Sequence, residues 1–145
     1  GAAIKRKVSF LAKAEIFKSG FLAFFAKRLH VISIKRGGND MTAIKTALKV
    51  LKNGEVLGIF PEGTRIKKNK KVIVKSGTGM NAAKTETKIL PVRIISSKGK
   101  IAIFTNIKII VGEAIEIKDI KENIEASDYQ YVSQYIMDKV YSLEQ

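Results

Sequence analysis

The sequence predicts an α/β fold: a single domain with a mixed, partly parallel central sheet flanked by helices. Three observations point there. An amphipathic helical pattern at Ile44, Ala47, Leu48 and Leu51 leads into a nearly continuous apolar run, Val56 to Phe60, as expected of a strand buried on both faces among parallel neighbours. A second helical stretch, Met80 to Glu86, separates that strand from the apolar run Ile89 to Ile95, a strand, loop, helix, strand order. The 145 residues, 46% of them apolar, suffice for one globular domain, spanning 1–145, and are too few to argue for two.

Taken in order, Val8, Phe10 and Leu11 form a short strand-like run. Phe17 to Leu29 is apolar enough for a short helix packed on the core, the commoner outcome for such runs, or resting on a membrane surface through Phe21 to Phe25. Val31, Ile32 and Ile34 read as a strand ending at Lys35-Arg36, broken by Gly37-Gly38, with Asn39 or Asp40 available as an N-cap. In the helix that follows, Lys45, Lys49 and Lys52 face outward and Asn53-Gly54 supplies the stop.

Val56 to Phe60 then runs into Pro61-Glu62-Gly63-Thr64-Arg65 and a lysine-rich loop with Lys67, Lys68, Lys70 and Lys71. After the Met80 helix, Pro91 interrupts the Ile89 to Ile95 run. Ser97 to Lys100 reads as a turn, Ile101 to Val111 as a later strand, and Ile115 to Ile117 as a short one beyond Gly112. Ser127 with Gln130 resembles a capping box for a closing helix whose buried face is Val132, Tyr135, Ile136, Val140 and Leu143.

Composition removes several classes of chemistry. Cysteine is absent, so there are no disulfides, no thiolate nucleophile and no sulfur-ligated metal. The single histidine, His30, lies between Leu29 and Val31 and reads as ordinary packing or a strand edge; metal sites of the common His-rich kinds lack their partners. Twenty-seven Lys and Arg against thirteen Asp and Glu give a net charge of +14, which favours an anionic partner without choosing among phospholipid head groups, a phosphorylated substrate and nucleic acid. The apolar run Gly20 to Ala26 falls far short of the roughly 20 residues that span a bilayer. The chain opens with Gly1 and shows no signal-peptide pattern.

A charged pentapeptide at the carboxyl end of a buried strand is where open α/β sheets place ligand sites. Gly63 lets backbone approach a ligand, Thr64 offers a hydroxyl and an N–H, and Arg65 offers a planar fork that matches phosphate oxygens. Glu62 can hold that arginine or accept a substrate hydroxyl. Spacing alone leaves open a plainer alternative, an exposed Glu62–Arg65 ion pair at a turn. Arg36 ends another strand, so two guanidinium groups can reach one crevice, which suits a phosphomonoester. The lysine loop and Lys75, ahead of Ser76-Gly77, fit a solvated charge run or a phosphate ligand. No Gly-x-x-x-x-Gly-Lys loop is present, and Gly77-x-Gly79 is weak evidence for nucleotide.

The hexapeptide Phe60-Pro61-Glu62-Gly63-Thr64-Arg65 resembles the substrate-binding motif of the glycerol-phosphate and lysophosphatidic acid acyltransferases. Phe10-Leu11-Ala12-Lys13-Ala14-Glu15, Ile34-Lys35-Arg36-Gly37-Gly38, Lys75-Ser76-Gly77 and Leu90-Pro91-Val92 stand in that family's order and approximate spacing. The resemblance covers roughly Val8 to Ile95 and implies a glycerol-3-phosphate acyltransferase-like fold. It implies that Arg36, Glu62, Gly63, Thr64 and Arg65 bind the acceptor's glycerol phosphate, and that Pro91, with Lys75, lies on the phosphate or acyl-donor side.

The implied reaction moves a fatty acyl group from coenzyme A or acyl-carrier protein to lysophosphatidic acid, forming phosphatidic acid, with no metal or bound cofactor. The implied setting is the cytoplasmic face of an anionic membrane. The family's His-x4-Asp motif, normally just ahead of the Phe10 region, is absent. The expectation is therefore an N-terminally incomplete acyltransferase domain with no catalytic residue of its own, inactive alone. The rivals are an acyltransferase for another glycerophosphate acceptor and a basic nucleic-acid-binding module; no spacing matches a nucleic-acid motif, so no specific nucleic acid is expected.

Overall fold

A parallel three-stranded sheet and an antiparallel strand pair organise the computed structural model, which describes residues 6–13, 30–34, 40–63, 74–96, 105–121 and 128–143. The chain divides into two compact units, residues 1–72 and 73–145.

In the first unit, β1 (Val8–Lys13) is central and pairs in parallel with β2 (Val31–Ile34) on one side and β3 (Val56–Gly58) on the other. Helix α1 (Met41–Lys52) makes the crossover from β2 to β3. Asp40 caps it, its Oδ1 accepting the Ala43 N–H at 3.1 Å. Ala43 and Ala47 are buried, Ile44, Leu48 and Leu51 half-buried, and Lys45, Lys49 and Lys52 exposed, as the periodicity requires. The helix stops at Asn53, and Gly54 (φ 71°) turns the chain in a conformation that costs a side-chain-bearing residue more.

Strand β3 departs from expectation. It ends at Gly58, its residues are only half-buried, and Phe60 is 58% exposed. Among the described strands β3 has a neighbour on one side only. Gly58 stands opposite Phe10, and a Cβ there would lie 2.5 Å from the Phe10 ring, so the ring fills the space a side chain would take. His30 is an exposed strand-edge residue: it precedes β2 with φ 51°, and its carbonyl accepts the Phe10 N–H.

The second unit holds α2 (Gly77–Thr85), β4 (Val92–Ser96), β5 (Ile107–Val111), α3 (Ile117–Lys121) and α4 (Tyr129–Tyr141). Its core joins Ala82, Ile117, Ile120, Val132 and Ile136, with Ile89, Ile115 and Tyr135 packed around them. Helices α2 and α4 approach closely because Gly79 has no side chain: its N–H donates to the buried Ser133 Oγ at 2.8 Å, and a Cβ would stand 2.8 Å from the Ser133 nitrogen.

Three expectations are corrected here. The Ile89 to Ile95 run becomes a strand only after Pro91, and among the described strands β4 pairs antiparallel with β5, a pairing that needs only a short connection. Ile115 makes a lone bridge to Ile89, and Ile117 opens α3, because the spacing of Ile117 and Ile120 puts both in the core on a helical turn. The cap of α4 is Asp128, accepting the Tyr131 N–H at 2.9 Å, while Gln130 donates to the Val74 carbonyl at 2.8 Å. Ser127, Phe17 to Leu29, the lysine loop and Ser97 to Lys100 lie outside the described residues. Among the described residues no helix is long and apolar enough to cross a membrane.

Candidate functional site

Parallel pairing with β1 makes β2 and β3 release the chain at the same end of the sheet. Beyond β3, Phe60-Pro61-Glu62-Gly63 closes a four-residue turn in which the Gly63 N–H donates to the Phe60 carbonyl at 2.9 Å. Pro61 presets the second position, and Gly63, at φ 59°, takes a conformation that disfavours any residue with a Cβ. Pro61, Glu62 and Gly63 are half-buried, and Glu62 makes no hydrogen bond or ion pair with another described residue.

Beyond β2, one residue separates Ile34 from Arg36, as one separates Gly63 from Arg65. Arg36, Thr64 and Arg65 themselves lie outside the described residues. The described frame is two strand ends at one end of a parallel sheet, one carrying a glycine-closed turn with a carboxylate. Strand ends of a parallel sheet arranged in this way suit an anionic group held by backbone N–H and guanidinium donors.

The remaining candidates belong to the second unit. Lys75 is exposed and follows the buried Val74, whose carbonyl Gln130 holds. It stands just before α2, where the helix N-terminus adds a favourable field for an anion. Pro91 is buried; its carbonyl accepts the Gly112 N–H at 3.0 Å and its ring closes over Gly112. Its observed contacts are those of a backbone corner.

Two features escaped the sequence. Arg93 donates to the carbonyls of Tyr141 at 2.6 Å and Leu143 at 2.9 Å, tying β4 to the end of α4, with its guanidinium 5.9 Å from the Tyr141 ring centroid. Glu116 lies between Lys118 and Lys88, whose ammonium groups hold its carboxyl well below the ordinary range. The Arg93 partners are brought in by the fold and leave no local signal; Glu116 has one partner two residues on, Lys118, and a second, Lys88, that only the fold supplies.

A protein-family model described as Acyltransferase matches residues 1–95. The chain belongs to the acyltransferase family. The matched span takes in both strand ends and the Phe60–Gly63 turn. Similar acyltransferases include the 1-acyl-sn-glycerol-3-phosphate acyltransferase of Bacillus subtilis (strain 168), 30% identical over 115 residues, covering 78% of this chain and 57% of the relative. That of Borreliella burgdorferi is 34% identical over 89 residues, 60% of this chain and 36% of the relative. The crystal structure of the 1-acyl-sn-glycerophosphate (LPA) acyltransferase PlsC from Thermotoga maritima superposes with a TM-score of 0.65 at 26% identity, over 94% of this chain and 57% of that one. The α/β class with a parallel sheet and flanking helices is thereby borne out. The chain spans a little over half the length of the first of these relatives.

Proposed function

We propose that the protein represented by this chain transfers a fatty acyl group from an acyl thioester to the free hydroxyl of lysophosphatidic acid, forming phosphatidic acid. The observation that carries this reading is the glycine-closed Phe60–Gly63 turn at the end of the sheet where β2 also finishes, inside the segment matched by the Acyltransferase model. The names of the similar proteins supply the substrate class.

Arg36 and Arg65 grip the acceptor's phosphate, Glu62 accepts from its glycerol hydroxyl or steadies a guanidinium, and Gly63 and Thr64 bring N–H donors close. The fixed phosphate sets where the distant hydroxyl lies. Its oxygen attacks the thioester carbonyl, the carbon–sulfur bond breaks, and the thiolate leaves. A general base takes the hydroxyl proton; the reading assigns this to a His-x4-Asp pair, which these 145 residues do not contain. Lys75 and Pro91 are assigned to the donor side. The reaction calls for no metal or prosthetic group, only the co-substrate thioester on coenzyme A or acyl-carrier protein. The lipid acceptor and the +14 charge support an anionic membrane surface, on its cytoplasmic face, as the setting in this reading.

The test is thiol release from a fatty acyl thioester on adding lysophosphatidic acid to the protein expressed from its full natural reading frame. Arg65→Ala weakens acceptor binding by about 1.5–3 kcal/mol, a rise in acceptor KM of roughly tenfold to a hundredfold. Absence of acceptor-dependent release from the folded, lipid-supplemented protein refutes the reading.

A further inference from the structure

The positive charge of this chain is unevenly distributed. Residues 1–72 hold 17 of the 27 Lys and Arg but only four of the 13 Asp and Glu, whereas residues 73–145 hold ten and nine. The first unit therefore carries an excess of thirteen positive charges and the second an excess of one.

Helix α1 concentrates part of that excess in one row. Lys45, Lys49 and Lys52 fall within about 60° of the helix circumference and span about 10 Å of its length. All three are exposed, no acidic residue occurs from Met41 to Lys52, and none of the three pairs with a described carboxylate. Just past the helix the row continues: exposed Arg6 donates to the Gly54 carbonyl. The neighbouring Lys7 is instead neutralised by Glu55 at 3.6 Å. Among the described residues the packing does not use the row, since the opposite side of the helix does the burying through Ala43 and Ala47.

Direction decides what such a row can meet. Helix α1 starts where β2 ends and finishes where β3 begins, so the row runs from the candidate-site end of the sheet down the side of the unit to the other end. A bilayer presenting a lipid acceptor faces the candidate-site end. Lys52 and Arg6 then stand more than a screening length, about 8 Å at physiological ionic strength, away from it. The row's only large exposed apolar neighbour on this helix is Met41, so it lacks the apolar face with which a helix beds into lipid. A partner that contacts all four cations comes from the aqueous side and carries a matching row of carboxylates.

We propose that this lysine row is the docking surface for an acidic carrier protein that delivers the acyl thioester; the proposal rests on the acyl-transfer reading above. Docked along α1, the carrier sits beside the sheet while its thioester arm reaches over the candidate-site end. Exposed complementary charges give fast, salt-sensitive encounter and ready release, which suits a donor that must leave after each turnover.

The test compares two donors, acyl-carrier protein and acyl-coenzyme A, with the protein from its full reading frame and its Lys45→Glu/Lys49→Glu/Lys52→Glu variant. The variant's KM for acyl-carrier protein rises at least about tenfold while kcat/KM with acyl-coenzyme A stays within about twofold. The Lys→Gln triple variant shows a smaller loss in the same direction, and an unchanged thermal midpoint confirms that both variants fold. Equal losses with the two donors, no loss with either, or a wild type that accepts only acyl-coenzyme A overturns the docking assignment and leaves the acyl-transfer reading standing. Failure of the wild type with both donors removes that reading itself. Loss of flotation on phosphatidylglycerol vesicles in the variant assigns the row to the membrane and overturns the carrier.

Discussion

Glu116 shows how much a single side chain can owe to its neighbours. Lys118 and Lys88 each approach one of its carboxylate oxygens to 2.8 Å. The hydrogen bond from Lys118, followed by that from Lys88, lowers its pKa from 4.5 to about 2. A carboxyl that ionises more readily folded than unfolded contributes its stability in full above the unfolded pKa and loses it as pH falls through the folded one. The thermal midpoint of wild type should therefore exceed that of Glu116→Gln at neutral pH. The difference should shrink as pH falls from 4.5 towards 2; melts across that range check it. The gap is small, because the group is exposed to water.

At the same scale, Glu62 and Gly63 were legible as site candidates because proline and glycine punctuate a turn after an apolar strand, and the turn is there. Phe60 was misread for the same reason: an apolar run does not reveal where the strand stops, and the aromatic ring sits beyond the last paired residue. Arg93 was illegible, since an arginine inside an apolar strand gives no hint of carbonyl partners 48 and 50 residues away.

Among the elements, α1 was fully readable: a cap, a four-residue apolar stripe, three lysines opposite and an Asn-Gly stop all agree. The turn of helix at Ile117–Lys121 was not, because five residues are too few to separate alternation from a helical period, and tertiary burial of Ile117 and Ile120 decides. The α2–α4 contact invites a paired test. Gly79→Ala drives a methyl into the Tyr129 carbonyl and Ser133, forcing two helices apart, and should cost about 1–3 kcal/mol in urea unfolding. Gly77→Ala, at the start of the same helix, meets nothing within 4 Å and should be neutral or stabilising by up to about 1 kcal/mol. The contrast separates helix propensity from close approach, and it gives Gly79 a packing explanation in place of a nucleotide one.

For the molecule as a whole, the uneven charge sets the expected behaviour at surfaces. The protein should float with phosphatidylglycerol vesicles at low salt, release as ionic strength rises to about 0.5 M, and ignore uncharged phosphatidylcholine vesicles; co-flotation across a salt series measures it. Class and element order were readable at this scale. The division into two units was not, because both share one apolar density.

The Arg93 tether to Tyr141 and Leu143 has an implication for biosynthesis. Three of the bonds that close the second unit, Val74 with Gln130, Gly79 with Ser133 and Arg93 with Leu143, join residues 50 or more positions apart. None can form until α4 has been translated. A nascent chain therefore carries α2 and β4 with their packing surfaces open while the last stretch is still being made. That interval is when a chaperone has something to hold, and when a stalled ribosome leaves a sticky product.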